Sequence, residues 1–502
     1  MNKFINLESE NQKTKEIMTK EYRKFYYWLL LSLVSLILCL PIFCITYAPL
    51  VDYPNHLARS FIFYNYDSIP AYQSTYVKLI EPIPDLALEF ILSSLLPFVS
   101  LLTASKIFLL LVVLIFVTGC HRLGKAIHGH PTFLALPCCF FIYNSMLLYG
   151  MVNYVVGLGL FCIALSFWLE WNERWTWLRF VIVTVLVLCA YLAHLTAYGF
   201  IGLTFTIIAA WNLYTKKVSL YPAVISLIPL VPPLFAFFLF MKGSGKVGEI
   251  SWNTIAGKLI GSLALVISYN YKFDAFSIVI LIAIVGVLIS QYRRINVELP
   301  TFMAGAILAL LYLICPKVLF TSSAADARFV VPAALLLVLS LKLNLPVAKG
   351  KFLMLIWLLT ASLRVGFIGM TWVALDKRIG AEVERLSILP EGAKLCPVFI
   401  QTENVFEGKA ERAFEHLPLY TTINRHAVVP TLFSFGAVSI YFRSPPLYFS
   451  PSTNEPERWL ESLNSYDYVW SYGDSEDLRQ TLRSKATIMY EADGFTLWHL
   501  NR

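Results

Sequence analysis

Pro49-Leu50-Val51-Asp52-Tyr53-Pro54-Asn55-His56-Leu57-Ala58-Arg59 follows directly on an apolar run at 26–47. It places a carboxylate, an imidazole and a guanidinium within eight positions at the mouth of a membrane segment. Asp is a preferred N-cap and Pro is tolerated in a first helical turn, so a short helix is expected from Tyr53 through Tyr64. On that helix Asp52, His56 and Arg59 fall at i, i+4 and i+7, one polar stripe. The plain alternative is that Asp52 only caps the helix and the other two side chains are solvated, and the remainder of the chain must choose between the two.

Outward from this stretch the chain is strongly apolar. Of 502 residues, 58% are hydrophobic and 14% charged, and the mean hydropathy is +0.65. A soluble domain would carry near a quarter charged residues, so the composition indicates a polytopic membrane protein. The net charge of +8 is membrane topology rather than a nucleic-acid footprint, because Lys and Arg sit in short loops. Apolar runs at 26–47, 104–120, 131–149, 151–171, 178–193, 197–214, 219–241, 275–292, 300–316, 328–343 and 351–374 make about eleven transmembrane helices.

Basic residues then fall on alternate connections: the segment 1–25, Arg122 and Lys125, Arg174 and Arg179, Lys216 and Lys217, Arg293 and Arg294, and Lys342, Lys349 and Lys351. The positive-inside rule puts the N-terminus in the cytoplasm and, after an odd number of spans, the C-terminus outside. The polar start carries no cleavable signal. The absence of an Asn-x-Ser/Thr sequon fits a bacterial inner (cell) membrane protein.

Three parts are expected: a cytoplasmic segment 1–25, a bundle 26–376 with the outer loop 48–103, and an extracytoplasmic α/β domain 377–502. Within the loop, 85–97 reads as a helix at the interface with Glu89 on its wet side. The segment Lys242-Gly243-Ser244-Gly245-Lys246 reads as a flexible basic hinge leading to an amphipathic stretch through Lys258. In the tail, strand-like runs at 394–401, 427–434, 466–471, 486–490 and 495–500 alternate with helix-like segments at 409–424, 455–464 and 475–484. Asp493-Gly494 is a hairpin turn signal.

Polar groups inside or beside spans are the further candidates. His194 stands at the outer end of its span, where it either bonds a ligand headgroup or serves as helix–helix glue. Arg364, mid-span, needs a polar cavity or an anionic partner. The loop 317–329 brings Lys317, Asp326 and Arg328 to the same face as Asp52, with a snorkelling Arg328 paired to Asp326 as the alternative. Asn144, Gly150, Asn153, Gly157 and Gly159 surround a tight hairpin, where the glycines suit close helix packing. Glu415, His416, Arg425 and His426 cluster in the tail, ordinarily a solvated face. The nine Cys form no CxxC or Cys/His spacing. No serine-nucleophile elbow, HExxH or Walker sequence occurs.

This pattern resembles the integral-membrane glycosyltransferases of the GT-C type, which use polyprenyl-phosphate-linked sugars. The likeness lies in a cytoplasmic N-terminus, a first outer loop opening with the acidic motif 49–59, an interface helix, a bundle of about a dozen spans and a soluble α/β tail. In motif it rests on Asp52 and on Asp326-Ala327-Arg328; the segments 143–159 and 324–332 also look like those of bacterial members. Many members carry a paired acidic motif, whereas here Asp52 is followed by Tyr53-Pro54-Asn55. Metal binding is therefore open, and no other cofactor is implied.

The resemblance implies a polyprenyl-phosphate-sugar donor, a lipid, glycan or protein acceptor, and a site at the membrane surface. Asp52 would be the base, with Arg59, Lys317, Arg328 or Arg364 neutralising phosphate and His56, His194 and Asp326 binding substrate. The rival from another class is a transporter or flippase of lipid-linked precursors; a scaffold displaying the tail is third. Transporters generally place their sites mid-membrane, so the 56-residue first outer loop (48–103) favours the enzyme.

The topology is checked with an impermeant thiol reagent on intact cells, directed at Cys396 or at a cysteine placed in the tail. Labelling without lysis is the expected result; protection until lysis would reverse the topology.

Overall fold

The computed structural model describes residues 2–80, 83–171, 175–241, 250–319, 322–400, 410–434, 438–448, 456–473 and 476–501. The expected hinge at 242–246 lies outside them. Seven helices are long and apolar enough to cross a membrane: Lys24–Phe43, Leu101–His128, Val152–Trp171, Leu195–Tyr214, Leu220–Leu239, Tyr271–Ser290 and Val347–Ile388. Four shorter apolar helical segments, Ala135–Leu148, Trp177–Ala193, Leu299–Ile314 and Ala327–Leu339, coincide with the remaining expected runs. The chain is a multi-pass helical membrane protein with a sheet-containing tail.

Three departures from the expected boundaries stand out. The run 131–149 is not one helix. It breaks into Ala135–Cys139, a 3-10 turn at Phe140–Ile142 and Ser145–Leu148. Asn144 restarts the chain by accepting hydrogen bonds from the backbone N–H of Met146 (2.9 Å) and Leu147 (3.2 Å), the satisfaction of free N–H groups that an N-cap supplies. Further on, the last long helix runs unbroken over Val347–Arg385, so the expected boundary at 376/377 falls inside a helix. The N-terminal helix likewise spans Asn2–Phe43 without interruption, and the expected segment 1–25 is continuous with the first span.

The tail builds a four-stranded sheet in the order Leu395–Phe399, Tyr468–Tyr472, Phe495–Leu500, Ala486–Ala492. The first pair is parallel and the others antiparallel. Asp493 (φ 55°) and Gly494 (φ 83°) make the hairpin turn, both residues taking the left-handed conformation that such two-residue turns require. The expected strand at 427–434 is instead irregular, touching the sheet through one parallel bridge, Lys394 to Val428. Helical turns occupy Glu411–Phe414, Leu417–Leu419 and Tyr420–Asn424.

Several contacts stitch the tail to the rest of the chain. Glu382, buried on the last long helix, accepts from Trp470 Nε1 (2.8 Å) and Tyr490 Oη (2.5 Å). Arg378 and Arg385 on the same helix reach the Asp493 carbonyl (2.9 Å) and carboxylate (2.6 Å). Tyr76–Lys78, from the loop 48–103, pairs antiparallel with Ile440–Phe442 of the tail. A loop strand and a tail strand thus share one ribbon, which fixes the tail above the site.

Cys396 lies in the tail sheet at 0% exposure, which makes it a poor topology reporter; its burial overturns its use as the labelling site. A cysteine at the exposed Ser484, in a variant lacking the exposed Cys44 and Cys189, serves instead. Gly150 gives a second check. It sits at φ +94°, and an added Cβ would lie 2.7 Å from Asp52 N and 2.9 Å from Tyr53 N. Gly150→Ala should cost about 1–3 kcal/mol from backbone strain alone, seen as a lowered melting temperature in detergent. An unchanged melt would refute the close approach.

Candidate functional site

The site is built on the helix Tyr53–Asn65. Pro54 lacks an N–H and so suits a first turn. The backbone of Asp52, not its side chain, closes that turn: its carbonyl accepts from Asn55 N (3.1 Å) and His56 N (3.2 Å), and the side chain makes no capping bond. The expected cap is therefore a carbonyl cap, and it leaves the carboxylate available. Asp52 N–H in turn donates to the Tyr149 carbonyl (3.0 Å), which is why only Gly fits at 150. The loop 48–103 and the broken segment 135–148 are thereby locked together at Asp52.

The polar stripe of this helix faces inward. His56 and Arg59 are buried, and Arg59 forms an ion pair with Glu89. Glu89 stands on the helix Ala87–Leu95 at 1% exposure, so the expectation of a wet-side Glu89 is overturned. The driving force is the guanidinium: a buried charge is costly unless it is paired or hydrogen-bonded, and the Glu89 carboxylate supplies the pair. Asp85 precedes that helix at φ 72°. Asn153 holds the strained turn, donating from Nδ2 to the Asp85 carbonyl (3.0 Å) and accepting from Leu88 N at Oδ1 (2.9 Å). This gives Asn153 a positioning task beyond helix packing.

The tail supplies the roof. Asn55 accepts from Phe433 N at Oδ1 (2.7 Å) and donates from Nδ2 to the Thr431 carbonyl (2.8 Å). His416 Nε2 comes within 3.6 Å of Asp52 Oδ1, and its ring packs edge-on against Phe433 at 5.2 Å. Arg412 pairs with Glu415 (2.8 Å), bonds the Tyr149 hydroxyl and lies over the Tyr149 ring at 4.6 Å. The reading of His416 as solvated face does not hold, since it is 8% exposed, whereas the Glu415 side chain keeps 32% exposure. No local pattern could have revealed this, because the contact joins residues far apart in sequence.

Arg328 enters from the start of the segment Ala327–Leu339. It is 7% exposed, donates to the Ser323 carbonyl (3.1 Å), and forms no ion pair among the described residues. Its Nε, together with His56 Nδ1, Arg59 Nε and Glu89 Oε2, is buried without a protein partner. Four such atoms in one neighbourhood are unusual for a structural core, where buried polar groups are nearly always satisfied.

The other expected residues have different surroundings. Asp326 accepts from Lys258 Nζ (2.7 Å), Asn253 Nδ2 (2.8 Å) and Ala327 N (2.8 Å), so it is held by Lys258 rather than paired with Arg328. Arg364 donates to the carbonyls of Val266 and Ile267, each at 3.1 Å, which satisfies it as a clamp on that loop. Lys317 is exposed. His194 joins two helices: its Nδ1 accepts from Thr196 N (3.2 Å), and its ring meets Tyr154 at 5.6 Å. Tyr154 in turn donates to the Arg328 carbonyl (2.6 Å), tying His194 indirectly to the cluster.

The electrostatics follow from burial. Asp52 is pushed up to about 7, first by burial, then by the charge of Glu415, with Arg412 opposing, Asp85 adding and Arg328 opposing. Asp85 is raised to about 6 by burial, against the pull of Arg59 and with the push of Glu89. His56 is lowered to about 3 and His416 to about 4, in both cases chiefly because burial disfavours the imidazolium. The centre therefore holds two neutral imidazoles and a carboxylate able to exchange a proton near neutrality. No group of three or more His, Cys, Asp or Glu side chains among the described residues is arranged to hold a metal ion.

No family model matches the sequence, and no curated protein matches it significantly. Among solved structures the chain is similar to ArnT from Cupriavidus metallidurans in its crystal structure bound to undecaprenyl phosphate, with a TM-score of 0.54 and 11% sequence identity. The superposition covers 94% of this chain and 97% of that one, so the likeness is one of whole architecture, tail included. At this identity the likeness establishes the fold, an ArnT-like helical membrane bundle carrying a tail.

Proposed function

We propose that this protein is a membrane glycosyltransferase that moves a sugar from a polyprenyl-phosphate-linked donor to an acceptor at the outer membrane interface, with Asp52 as base. The observation that carries the reading is the pairing of two features in one site: a carboxylate raised to about 7 and a buried arginine, Arg328, with no carboxylate partner among the described residues. The ArnT-like fold supports a lipid-linked donor, since that relative is bound to undecaprenyl phosphate.

The chemistry is a displacement at the anomeric carbon. The acceptor hydroxyl oxygen forms the new bond to that carbon while the Asp52 carboxylate takes its proton. The bond from the anomeric carbon to the phosphate oxygen breaks, and its electron pair stays on the phosphate. Arg328 neutralises the charge that develops there; an unpaired, desolvated guanidinium suits this task because it need not first give up another anion. With water as acceptor the same steps give hydrolysis. His56 and the Arg59–Glu89 pair present the remaining unpartnered donors and acceptors to the sugar, and Asp85 shapes the charge beneath it. Lys317, Asp326, His194 and Arg364 act around this centre, Asp326 by holding Lys258 and Arg364 by holding the 266–267 loop.

Asp52 makes no side-chain cap bond, so Asp52→Asn should leave the fold intact while removing basicity. Transfer from polyprenyl-phosphate-linked sugars should fall about 10²–10⁴-fold; near-wild-type turnover would reduce Asp52 to a backbone cap and favour the transporter alternative. Because the base must be ionised, kcat/KM should fall about tenfold per pH unit below about 7. A flat profile from pH 5 to 8 would contradict the assignment.

Arg328→Gln removes a charge-assisted interaction worth about 1.5–3 kcal/mol. Binding of undecaprenyl phosphate to the purified protein should weaken at least about tenfold, with Asp52→Asn binding as wild type. Equal affinity in the Arg328 variant would move the phosphate elsewhere.

A further inference from the structure

The tail brings to Asp52, besides the charges of Glu415 and Arg412, a side chain whose protonation the surrounding bonds decide. Asn55 has its orientation set by two backbone contacts: Oδ1 accepts from Phe433 N–H, so Nδ2 is the end that donates to the Thr431 carbonyl. The same Nδ2 lies 3.5 Å from His416 Nδ1. An amide nitrogen can only donate, so Nδ1 of His416 is the acceptor. The proton of the neutral imidazole is then on Nε2, the nitrogen facing Asp52 Oδ1 at 3.6 Å. That separation is an electrostatic contact rather than a closed hydrogen bond, and contacts of this kind tighten when substrate fills a site.

We propose that His416 is a positioning residue delivered by the tail: its Nε2–H faces the Asp52 carboxylate, orients it toward the acceptor and restrains its proton affinity. The inference rests on Asp52 being the base of the proposed reaction, and it makes the site incomplete without the tail. A donor aimed at a carboxylate favours the ionised form. It counteracts the groups that press the other way, namely Glu415 on the tail and Asp85 below, and works alongside Arg412 and Arg328. His416 itself faces Glu415, Arg412, Asn55, the neutral imidazole of His56 and the Phe433 ring. Burial keeps it neutral, so it contributes a dipole and not a charge. The ribbon formed by 76–78 and 440–442, with the Asn55 bonds to 431 and 433, holds this arrangement in register.

The test reads Asp52 directly and does not need turnover. Carbodiimides react with protonated carboxyls, so labelling of the Asp52 peptide by dicyclohexylcarbodiimide, followed by mass spectrometry from pH 5 to 9, titrates that residue in the purified full-length protein. The wild type should show a midpoint at about 7. His416→Leu should move it upward by about one unit, a tenfold gain in proton affinity, while His416→Gln, which keeps an N–H donor, should stay near the wild-type value. Asn55→Ala, which frees the tautomer, should fall between them. Melting temperatures confirm that each variant is folded.

A wild-type midpoint in His416→Leu, or an equal shift in His416→Gln, would overturn the inference. Full sugar transfer by Asp52→Asn would instead sink the base assignment while leaving the titration result standing, so the two failures are distinguishable.

Discussion

A largely buried carboxylate, that of Asp52, is the constraint to which the surrounding structure answers. Burying an isolated charge costs several kcal/mol even after relaxation, and Asp52 is neither ion-paired to an arginine nor used as a side-chain cap. Its neighbours settle the balance from four directions: Tyr149 receives its N–H, His416 faces its oxygen, and Arg412 and Arg328 offset Glu415 and Asp85. The result is a group whose charged and neutral forms lie close in energy at neutral pH. That property belongs to the assembly and to no single residue of it.

The positions of the cations divide along the same line. Arg59 is closed off by Glu89, and Arg364 by two carbonyls. Lys258, which donates to Asp326 and to the carbonyls of Tyr312 and Cys315, is equally satisfied. These three hold loops and helices together. Among the described residues Arg328 has one carbonyl and the Met151 sulfur within reach, and its Nε has no partner. A protein that needs both rigid scaffolding and an anion receptor can use the same residue type for both, and the distinction rests on whether acceptors have been supplied.

The tail is more than an appendage on this reading. Its sheet is anchored to the last long helix by Glu382, Arg378 and Arg385, and its irregular segment 410–434 lies over the helix Tyr53–Asn65. Irregular backbone suits this role, because its N–H and C=O groups are free to bond side chains. Asn55 exploits that by gripping 431 and 433 at once. A regular strand at 427–434 would have spent those groups on a neighbouring strand.

Much of the architecture was legible from residues 1–502 as written. Apolar runs of bilayer length favour helices, since backbone groups in lipid can be satisfied only within the segment; among the described residues ten of the expected runs carry a continuous apolar helix and 131–149 a broken one. The Asp493-Gly494 turn and the four strands of the tail sheet are equally local signals. What sequence could not supply was partnership. Glu89 looked wet until Arg59 was seen beside it, Arg328 and Asp326 looked paired until Lys258 claimed the carboxylate, and His416 looked like surface although it faces Asp52. Periodicity and hydropathy report how a residue relates to its own helix or strand. Which charges meet, and which are left unpaired, depends on contacts between separate segments of the chain, and these are set only when the whole chain has packed.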